Sequence, residues 1–364
     1  MRIIYGVASE GMGHATRSNA VIERLLKHGH DVHIVTSDRA YDFFLKKGFD
    51  VHCVKGFHLV YEENKLSSTK SVIWNVKHLP KGFVPSIDIV AQLFDCVKPD
   101  VVISDFEFFT AFYGKATGVP VVSANNISIV DKTRVGLSRS TRRHKWWTGI
   151  TAKLATVRAD WYVIPTFFFP KIKGRNIILT NPVVREAVTR TKPKKGKHIL
   201  VYQTSPTCLP LLQRLKKLPE KFIVYGFGAK PKDGNLQFQP FNETRFIKHL
   251  ATAKAVITGG GFSLISEALY LKKPILSVPL HDHFEQIMNG HYIEQLGYGE
   301  HNIEPTPDDV RLFLSRLHIY KRNLDNYDFD PTEFARTVEE VAMRIAKEPN
   351  PKRLRRIANL IRNL

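Results

Sequence analysis

Three glycines, Gly259, Gly260 and Gly261, follow the short apolar run Val256–Thr258 and lead at once into a helical pattern from Leu264 to Leu271. A strand that breaks on glycines into a helix N-terminus is an anion site. The glycines let backbone N–H groups approach closely, and the helix dipole favours negative charge. Ser263 adds a hydroxyl, and Glu267, one turn into the helix, can accept bonds from hydroxyls of the same ligand. A second apolar run, Pro274–Val278, passes into the polar loop Leu280–Gln286, which carries Glu285 and Gln286 and opens a helix bearing Asn289. Successive strand-to-helix turns of a parallel sheet share one edge, outside the carboxyl ends of the strands, where ligands bind. A ligand with a phosphate and two hydroxyl-bearing parts fits that edge, which describes a nucleotide sugar. The plainer alternative is a tight glycine turn of any α/β protein.

Near the start of the chain, His14 ends the glycine-bearing turn Ser9–Glu10–Gly11–Met12–Gly13. An acceptor hydroxyl is a poor nucleophile at neutral pH, and an imidazole can take its proton during attack. Asp105 follows the apolar strand Val101–Ser104, with Glu107 two residues on, and Asn125 and Asn126 end the next strand. Strand-end polar groups line the ligand crevice of α/β folds. Asp105 would orient His14 or act as the base itself; Gly11, Gly13, Glu107, Asn125 and Asn126 are candidate acceptor contacts. The competing assignment makes His14 and Asp105 ordinary caps. With 15 histidines in the chain, only its place after the glycine turn singles out His14.

The elements that must position these groups alternate. Strands are expected at Arg2–Ala8, Val32–Thr36, Val51–Val54, Val101–Ser104, Val119–Ser123, Trp161–Ile164 and Ile177–Leu179, with helices between them. The basic, proline-containing segment Thr189–Lys197 reads as a linker, after which the plan repeats from strand His198–Tyr202 through Phe222–Tyr225 to the glycine motif. Helices are expected at Thr244–Ala253, Pro307–Leu317 and Pro331–Lys347, the last capped by Asp330. Alternation of this kind specifies doubly wound parallel sheets. The expected organisation is a first domain over 1–185 for the acceptor, a second over 186–330 for the nucleotide-sugar donor, and C-terminal helices over 331–364 that pack back towards the first.

Composition narrows the partners. The 364 residues suit two domains, and 43% apolar content supplies their cores. Cys53, Cys96 and Cys208 lie far apart without metal-ligand spacing and read as reduced, buried thiols of a cytoplasmic protein. No stretch approaches the roughly 20 apolar residues of a membrane span. The net charge of +20 calls for an anionic partner. From Lys132 to Arg158 there are eight Lys or Arg residues and no acid, with Trp146 and Trp147 among them, and Lys352–Leu364 is an amphipathic tail with five cations. Such stretches suit an anionic membrane surface, placing the protein peripherally on the inner face of the cell membrane. Nucleic acid is the second choice, since tryptophan stacks on bases. No metal-ligand cluster or Asp-x-Asp is evident, so neither a metal nor a cofactor is expected.

The stretch Phe241–Gly299 resembles the donor-binding segment of GT-B glycosyltransferases, in particular the family of the synthase that adds N-acetylglucosamine to the lipid-linked peptidoglycan precursor. Gly11–Arg17 is similar to that family's first glycine-rich loop, although Glu10 and Met12 stand where small residues are common. Asn181, Pro182 and Val183 match a Gly-Asn-Pro-Val-Arg signature, with Thr180 in place of the glycine and Val184 intervening before Arg185. The resemblance implies two Rossmann-like domains whose parallel sheets face a central cleft. It also implies that Thr204 and Ser205 meet donor phosphate, that the Phe241 backbone pairs with uracil, and that Gln286 contacts the donor sugar. The implied enzyme is an inverting, metal-independent transferase moving a sugar from a UDP-sugar to a hydroxyl of a lipid-linked or membrane-surface acceptor. Rivals are a UDP-sugar epimerase of the same fold, a glycosyltransferase acting on nucleic acid, and a non-catalytic nucleotide-sugar-binding subunit.

Overall fold

The structure, a computed structural model, describes residues 1–9, 12–55, 61–62, 65–66, 84–136, 158–203, 209–281 and 283–347. Two compact units are present: Met1–Val60, Ser67–Val183 and Thr332–Leu364 form one, and Tyr61–Leu66 with Val184–Pro331 form the other.

Strands of the first half are β1 (Arg2–Val7), β2 (Asp31–Thr36), β3 (Val51–Cys53), β4 (Tyr61–Glu62), β5 (Lys65–Leu66), β6 (Val101–Asp105), β7 (Val121–Ala124), β8 (Trp161–Pro165) and β9 (Ile177–Thr180). Apart from the antiparallel pair β4–β5, they make one seven-stranded sheet in the order β3-β2-β1-β6-β7-β8-β9, with every pairing parallel. The inner strands are apolar on both faces. Ile3, Ile4 and Tyr5 of β1 are fully buried, as are Val101, Val102 and Ile103 of β6. Unbroken apolar runs of this kind mark a parallel sheet covered by helices on both sides.

The second unit repeats the design with β10 (His198–Tyr202), β11 (Lys221–Tyr225), β12 (Leu236–Phe238), β13 (Ala255–Thr258), β14 (Ile275–Ser277) and β15 (Gly299–His301). Their order is β12-β11-β10-β13-β14-β15, again wholly parallel. Each sheet therefore reverses its winding beside its first strand, between β1 and β6 and between β10 and β13. A crevice opens at such a reversal, at the carboxyl ends of the two strands.

The helix Glu333–Lys347 belongs to the first unit. Phe334, Ala335, Val338, Val341, Ala342 and Ile345 are buried in the core that also holds Ile3, Tyr5, Ile22 and Leu25. Its spacing of apolar residues gives one stripe for that core. On its polar side Glu339 accepts from Arg24 Nε (2.6 Å) and lies against His28 Nδ1 (2.6 Å) and His30 Nε2 (3.2 Å). Burial alone would raise the Glu339 carboxyl, but the hydrogen bonds from His28 and Arg24 outweigh it and hold the group below the usual range. Glu333 accepts from the backbone and side-chain nitrogens of Asn181, which ties the end of the first sheet to the same helix.

Three expectations need correction. Cys53 and Cys96 are free but exposed rather than buried: one ends the edge strand β3, and the other lies on the outer side of the helix over 84–97. The C-terminal helix begins at Glu333, not after an Asp330 cap. A strand at Gly299–His301 and a helix at Leu317–Asp325 add to the expected elements. Cys208, the basic stretch over 137–157 with Trp146 and Trp147, most of the segment 62–83, and the tail 352–364 lie outside the described residues.

Candidate functional site

In the first unit the reversal between β1 and β6 is occupied by a charged cluster. The helix Met12–Lys27 follows β1 and carries His14, Arg17 and Ser18, while Asp105 is the last residue of β6. Asp105 is fully buried. Its Oδ1 lies 2.9 Å from His14 Nδ1 and accepts from Arg17 Nη2 at 2.7 Å. Its Oδ2 accepts from Arg17 Nε at 3.0 Å and from the Ser18 hydroxyl at 2.9 Å. Arg17 thus grips the carboxylate with two parallel bonds, the strongest geometry for such a pair. Burial would raise the Asp105 carboxyl, but the charges of Arg17 and His14 prevail and hold it below its ordinary range. Asp105 is therefore an anion at neutral pH.

This anion fixes the imidazole. A ring proton on Nδ1 is donated to Asp105 and leaves Nε2 its lone pair, which is the tautomer that a general base needs. Arg17 Nη2 also lies 2.9 Å from Nδ1, and one of its two hydrogens goes to Asp105 Oδ1. Phe106, directly after Asp105, has a φ of 61° and stacks on His14 with ring centroids 6.1 Å apart. A left-handed phenylalanine costs energy and persists only where its surroundings impose it.

The other first-unit candidates are placed as follows. Gly13 lies in the first turn of the His14 helix, and Gly11 is outside the described residues. Asn126 accepts from Arg17 Nη1 at 2.9 Å and so joins the cluster. Asn125 is turned inward: its Oδ1 accepts from the Ser128 backbone and hydroxyl, and its Nδ2 donates to Ser123. Glu107 caps the helix Phe108–Thr117, accepting from Phe109 N, Thr110 N and the Thr110 hydroxyl. Burial raises its carboxyl against those three bonds. Both its oxygens are thereby engaged inside the fold.

In the second unit, the reversal between β10 and β13 holds Gln203 and the glycine run. Gly260 has a φ of 91°, and a side-chain carbon there would lie 2.8 Å from the Gln286 carbonyl oxygen. Only glycine fits that turn. Gly261 is the N-cap of the helix Phe262–Tyr270 and has no side chain of its own to cap it. Ser263 sits in its first turn, half-buried. Asn289 donates to the Gly260 carbonyl at 2.9 Å, and Gln286 Oε1 accepts from Leu280 N at 3.0 Å, so both brace the loops around the glycines. Glu285 is in the first turn of the helix Phe284–Gln295, whose N-cap is His283. Gln203 is buried with its Oε1 lacking a hydrogen-bond partner, an acceptor that a ligand donor could satisfy. Phe241 is exposed and tilted against Phe246; Thr204 and Ser205 lie outside the described residues.

Glu267 is buried and held by Arg185, whose Nε and Nη2 donate to its two oxygens at 2.5 and 2.8 Å. Arg185 Nη1 reaches Glu243 at 2.7 Å. Burial would lower the Arg185 guanidinium, and its bonds to the carboxylates of Glu267 and Glu243 reverse that, so the arginine stays charged. A carboxylate oxygen has two lone pairs, so one side of Glu267 remains able to accept from hydroxyls.

Sequence reasoning missed Arg17, Arg185 and Gln203. Arg17 stands three residues after His14 on one helix, hence on the same face, and that spacing was a usable signal. Arg185 and Glu267 are 82 residues apart, and no local pattern links them.

The profile of glycosyl transferase family 1 matches residues 1–318. An uncharacterized glycosyltransferase of Methanosarcina acetivorans is 24% identical over 343 residues, 87% of each chain. UDP-N-acetylglucosamine–N-acetylmuramyl-(pentapeptide) pyrophosphoryl-undecaprenol N-acetylglucosamine transferase 1 of Bacillus thuringiensis is 23% identical over 296 residues, 71% of this chain and 75% of that one. Among solved structures, the glycotransferase of kitacinnamycin superposes with a TM-score of 0.66 at 15% identity, covering 95% of this chain and 97% of that one. Among the described residues, no helix is long and apolar enough to cross a membrane.

Proposed function

The chain belongs to glycosyl transferase family 1 and is a glycosyltransferase with the GT-B fold, and from that premise we propose that it is an inverting, metal-independent enzyme moving a sugar from a UDP-sugar to a hydroxyl of a lipid-linked or membrane-surface acceptor. The observation that carries the donor assignment is the pairing, at one sheet reversal, of a helix N-terminus that follows three glycines with the buried carboxylate of Glu267. The helix terminus takes the diphosphate, and Glu267, steadied by Arg185, takes the ribose hydroxyls. UDP is favoured because the Bacillus relative is named for a UDP-sugar.

In the proposed reaction His14 Nε2 removes the acceptor proton, and the freed oxygen attacks C1 of the sugar. The bond from C1 to the diphosphate oxygen breaks on the opposite face, so the anomeric configuration inverts and UDP leaves as the anion. Asp105 holds His14 in the right tautomer and stabilises the imidazolium that forms. Helix dipole, glycine N–H groups and the Ser263 hydroxyl serve the departing diphosphate in the place a cation would take. An anionic acceptor suits the net charge of +20, and the relative's name specifies a pyrophosphoryl-undecaprenol carrier.

Thermal-shift screening of nucleotide sugars, followed by measurement of UDP release with candidate acceptors, tests the proposal. UDP-sugars should raise the melting temperature most, and release should require an acceptor. Conversion of UDP-N-acetylglucosamine to its epimer without acceptor would establish the epimerase instead. Stabilisation by a different nucleotide alone would replace the donor.

A further inference from the structure

His33, Asp50 and His52 come together at the outer edge of the first sheet, apart from the cluster of His14, Arg17 and Asp105. The register makes the cluster. Ile34 pairs with Val51 and Val35 with His52. Side chains alternate along strands, so Asp31, His33 and Val35 share one face, and His52, opposite Val35, projects from that face too. One ligand atom from each of His33, Asp50 and His52 lies within 4.8 Å of the others. His33 Nδ1 is 2.6 Å from Asp50 Oδ2, and His52 Nε2 is 3.3 Å from Asp50 Oδ1. Both of these imidazole nitrogens are shielded from solvent and make no well-aligned hydrogen bond. The other nitrogen of His33, Nε2, faces Asp31 Oδ1 at 3.3 Å.

We infer that His33, His52 and Asp50 form a binding site for a borderline divalent cation, zinc being the best match, which clips the three-residue edge strand β3 to β2. Zinc takes imidazole and carboxylate ligands at roughly 2.0–2.2 Å, which puts tetrahedral ligand atoms about 3.3–3.5 Å from one another. The three ligand atoms already lie within 4.8 Å of one another, so side-chain rotation alone brings them to that spacing, and water completes the set. A metal-bound histidine commonly donates its second N–H to a carboxylate, which fixes the ring. Asp31 supplies that carboxylate to His33. Two imidazoles and one carboxylate favour zinc or cobalt over magnesium or calcium, which prefer oxygen alone. The cluster lies towards the amino ends of β2 and β3, whereas His14 and Asp105 sit at the carboxyl end of the same sheet, so its role is to hold the edge rather than to act on substrate.

Titration of the full-length, untagged protein with zinc chloride by calorimetry, and with cobalt chloride by visible absorption, tests the inference. The wild type should bind one equivalent at micromolar concentration or tighter, with a cobalt spectrum of low-coordinate type and a zinc-dependent rise in melting temperature. His52→Gln and Asp50→Asn should each lose that equivalent while melting like wild type in chelator; Asp50 is exposed, so its variant folds even if the histidine variant does not. Asp31→Asn should weaken binding by roughly tenfold, the low end for an outer-sphere partner because Asp31 is 62% exposed. Absence of a micromolar equivalent in the wild type overturns the inference, as does an equivalent unaltered in His52→Gln and Asp50→Asn.

Discussion

His14 has one ring nitrogen committed to Asp105, which leaves the other to carry a proton. His14→Ala should therefore lower kcat by roughly 10²–10⁴, the usual worth of a general base, while donor affinity stays the same. Steady-state rates set beside calorimetric UDP affinity provide the check, and wild-type turnover in the folded variant would pass the role to another group. Glu267 and Gln286 should separate in a different way. Glu267→Ala removes a charged acceptor and strands Arg185, so UDP and UDP-sugar should both weaken by about 1.5–3 kcal/mol. Gln286→Ala should spare UDP and weaken only the intact donor; equal losses for both ligands would show that its bond to Leu280 N, a loop brace, is the larger contribution. In the sequence His14 and Glu267 each stand out by following a strand and a glycine turn, and Gln286 by following a strand and a polar loop. Their ionic partners do not, since Arg17 reaches Asp105 across 88 residues and Arg185 reaches Glu267 across 82. Glu107, singled out in sequence as a strand-end carboxylate, also caps the helix that follows, with its oxygens accepting from Phe109 N and Thr110 N.

Among the elements, the helix Glu333–Lys347 depends on a polar anchor as well as an apolar stripe. Glu339→Gln removes the anion from between Arg24, His28 and His30. A fully buried pair broken on one side costs about 3–5 kcal/mol, but Arg24 and His28 retain 31% and 43% exposure, so a loss of about 1–3 kcal/mol is expected. The pH dependence has a definite sign. Glu339 titrates lower in the folded protein than the unfolded value of about 4.3, so its contribution is present above that pH and is lost as pH falls through the folded value. Denaturant melts of Glu339→Gln between pH 7 and pH 3 should show a shallower acid decline than wild type; parallel curves would mean that the anchor carries no charge effect. The helix itself was readable from its apolar period, as were the central strands from their unbroken Ile and Val runs. Gly299–His301 was not. It is short and polar, and it pairs in the sheet because Gly299 admits the Ile275 carbonyl, which would lie 1.7 Å from any side-chain carbon there. The helix Leu317–Asp325 was hidden by its closeness to the helix Pro307–Ser315, which the apolar pattern merges. The edge cluster His33–Asp50–His52 escaped because a strand register, not a spacing, assembles it.

For the whole molecule the net charge of +20 predicts where it works. Sedimentation should show binding to vesicles containing anionic lipid and little to neutral ones, with each cation near the surface contributing on the order of 1 kcal/mol. Equal binding to both vesicle types, alongside a shift of transfer RNA at low micromolar protein, would move the acceptor from lipid to nucleic acid and bring a steep salt slope with it. The chain's path has a separate consequence. It leaves the first unit after Val183 and rejoins it at Thr332, with the second unit's main segment between. During synthesis the second unit can close on itself while the first still waits for Phe334, Val338 and Ala342 to fill its core. Until the helix Glu333–Lys347 emerges, the half-built first sheet keeps an apolar face uncovered. A ribosome stalled before Glu333–Lys347 is free to fold would thus hold one finished half and one half in need of a chaperone, so the arrival of a late helix sets when the early sheet becomes safe from aggregation.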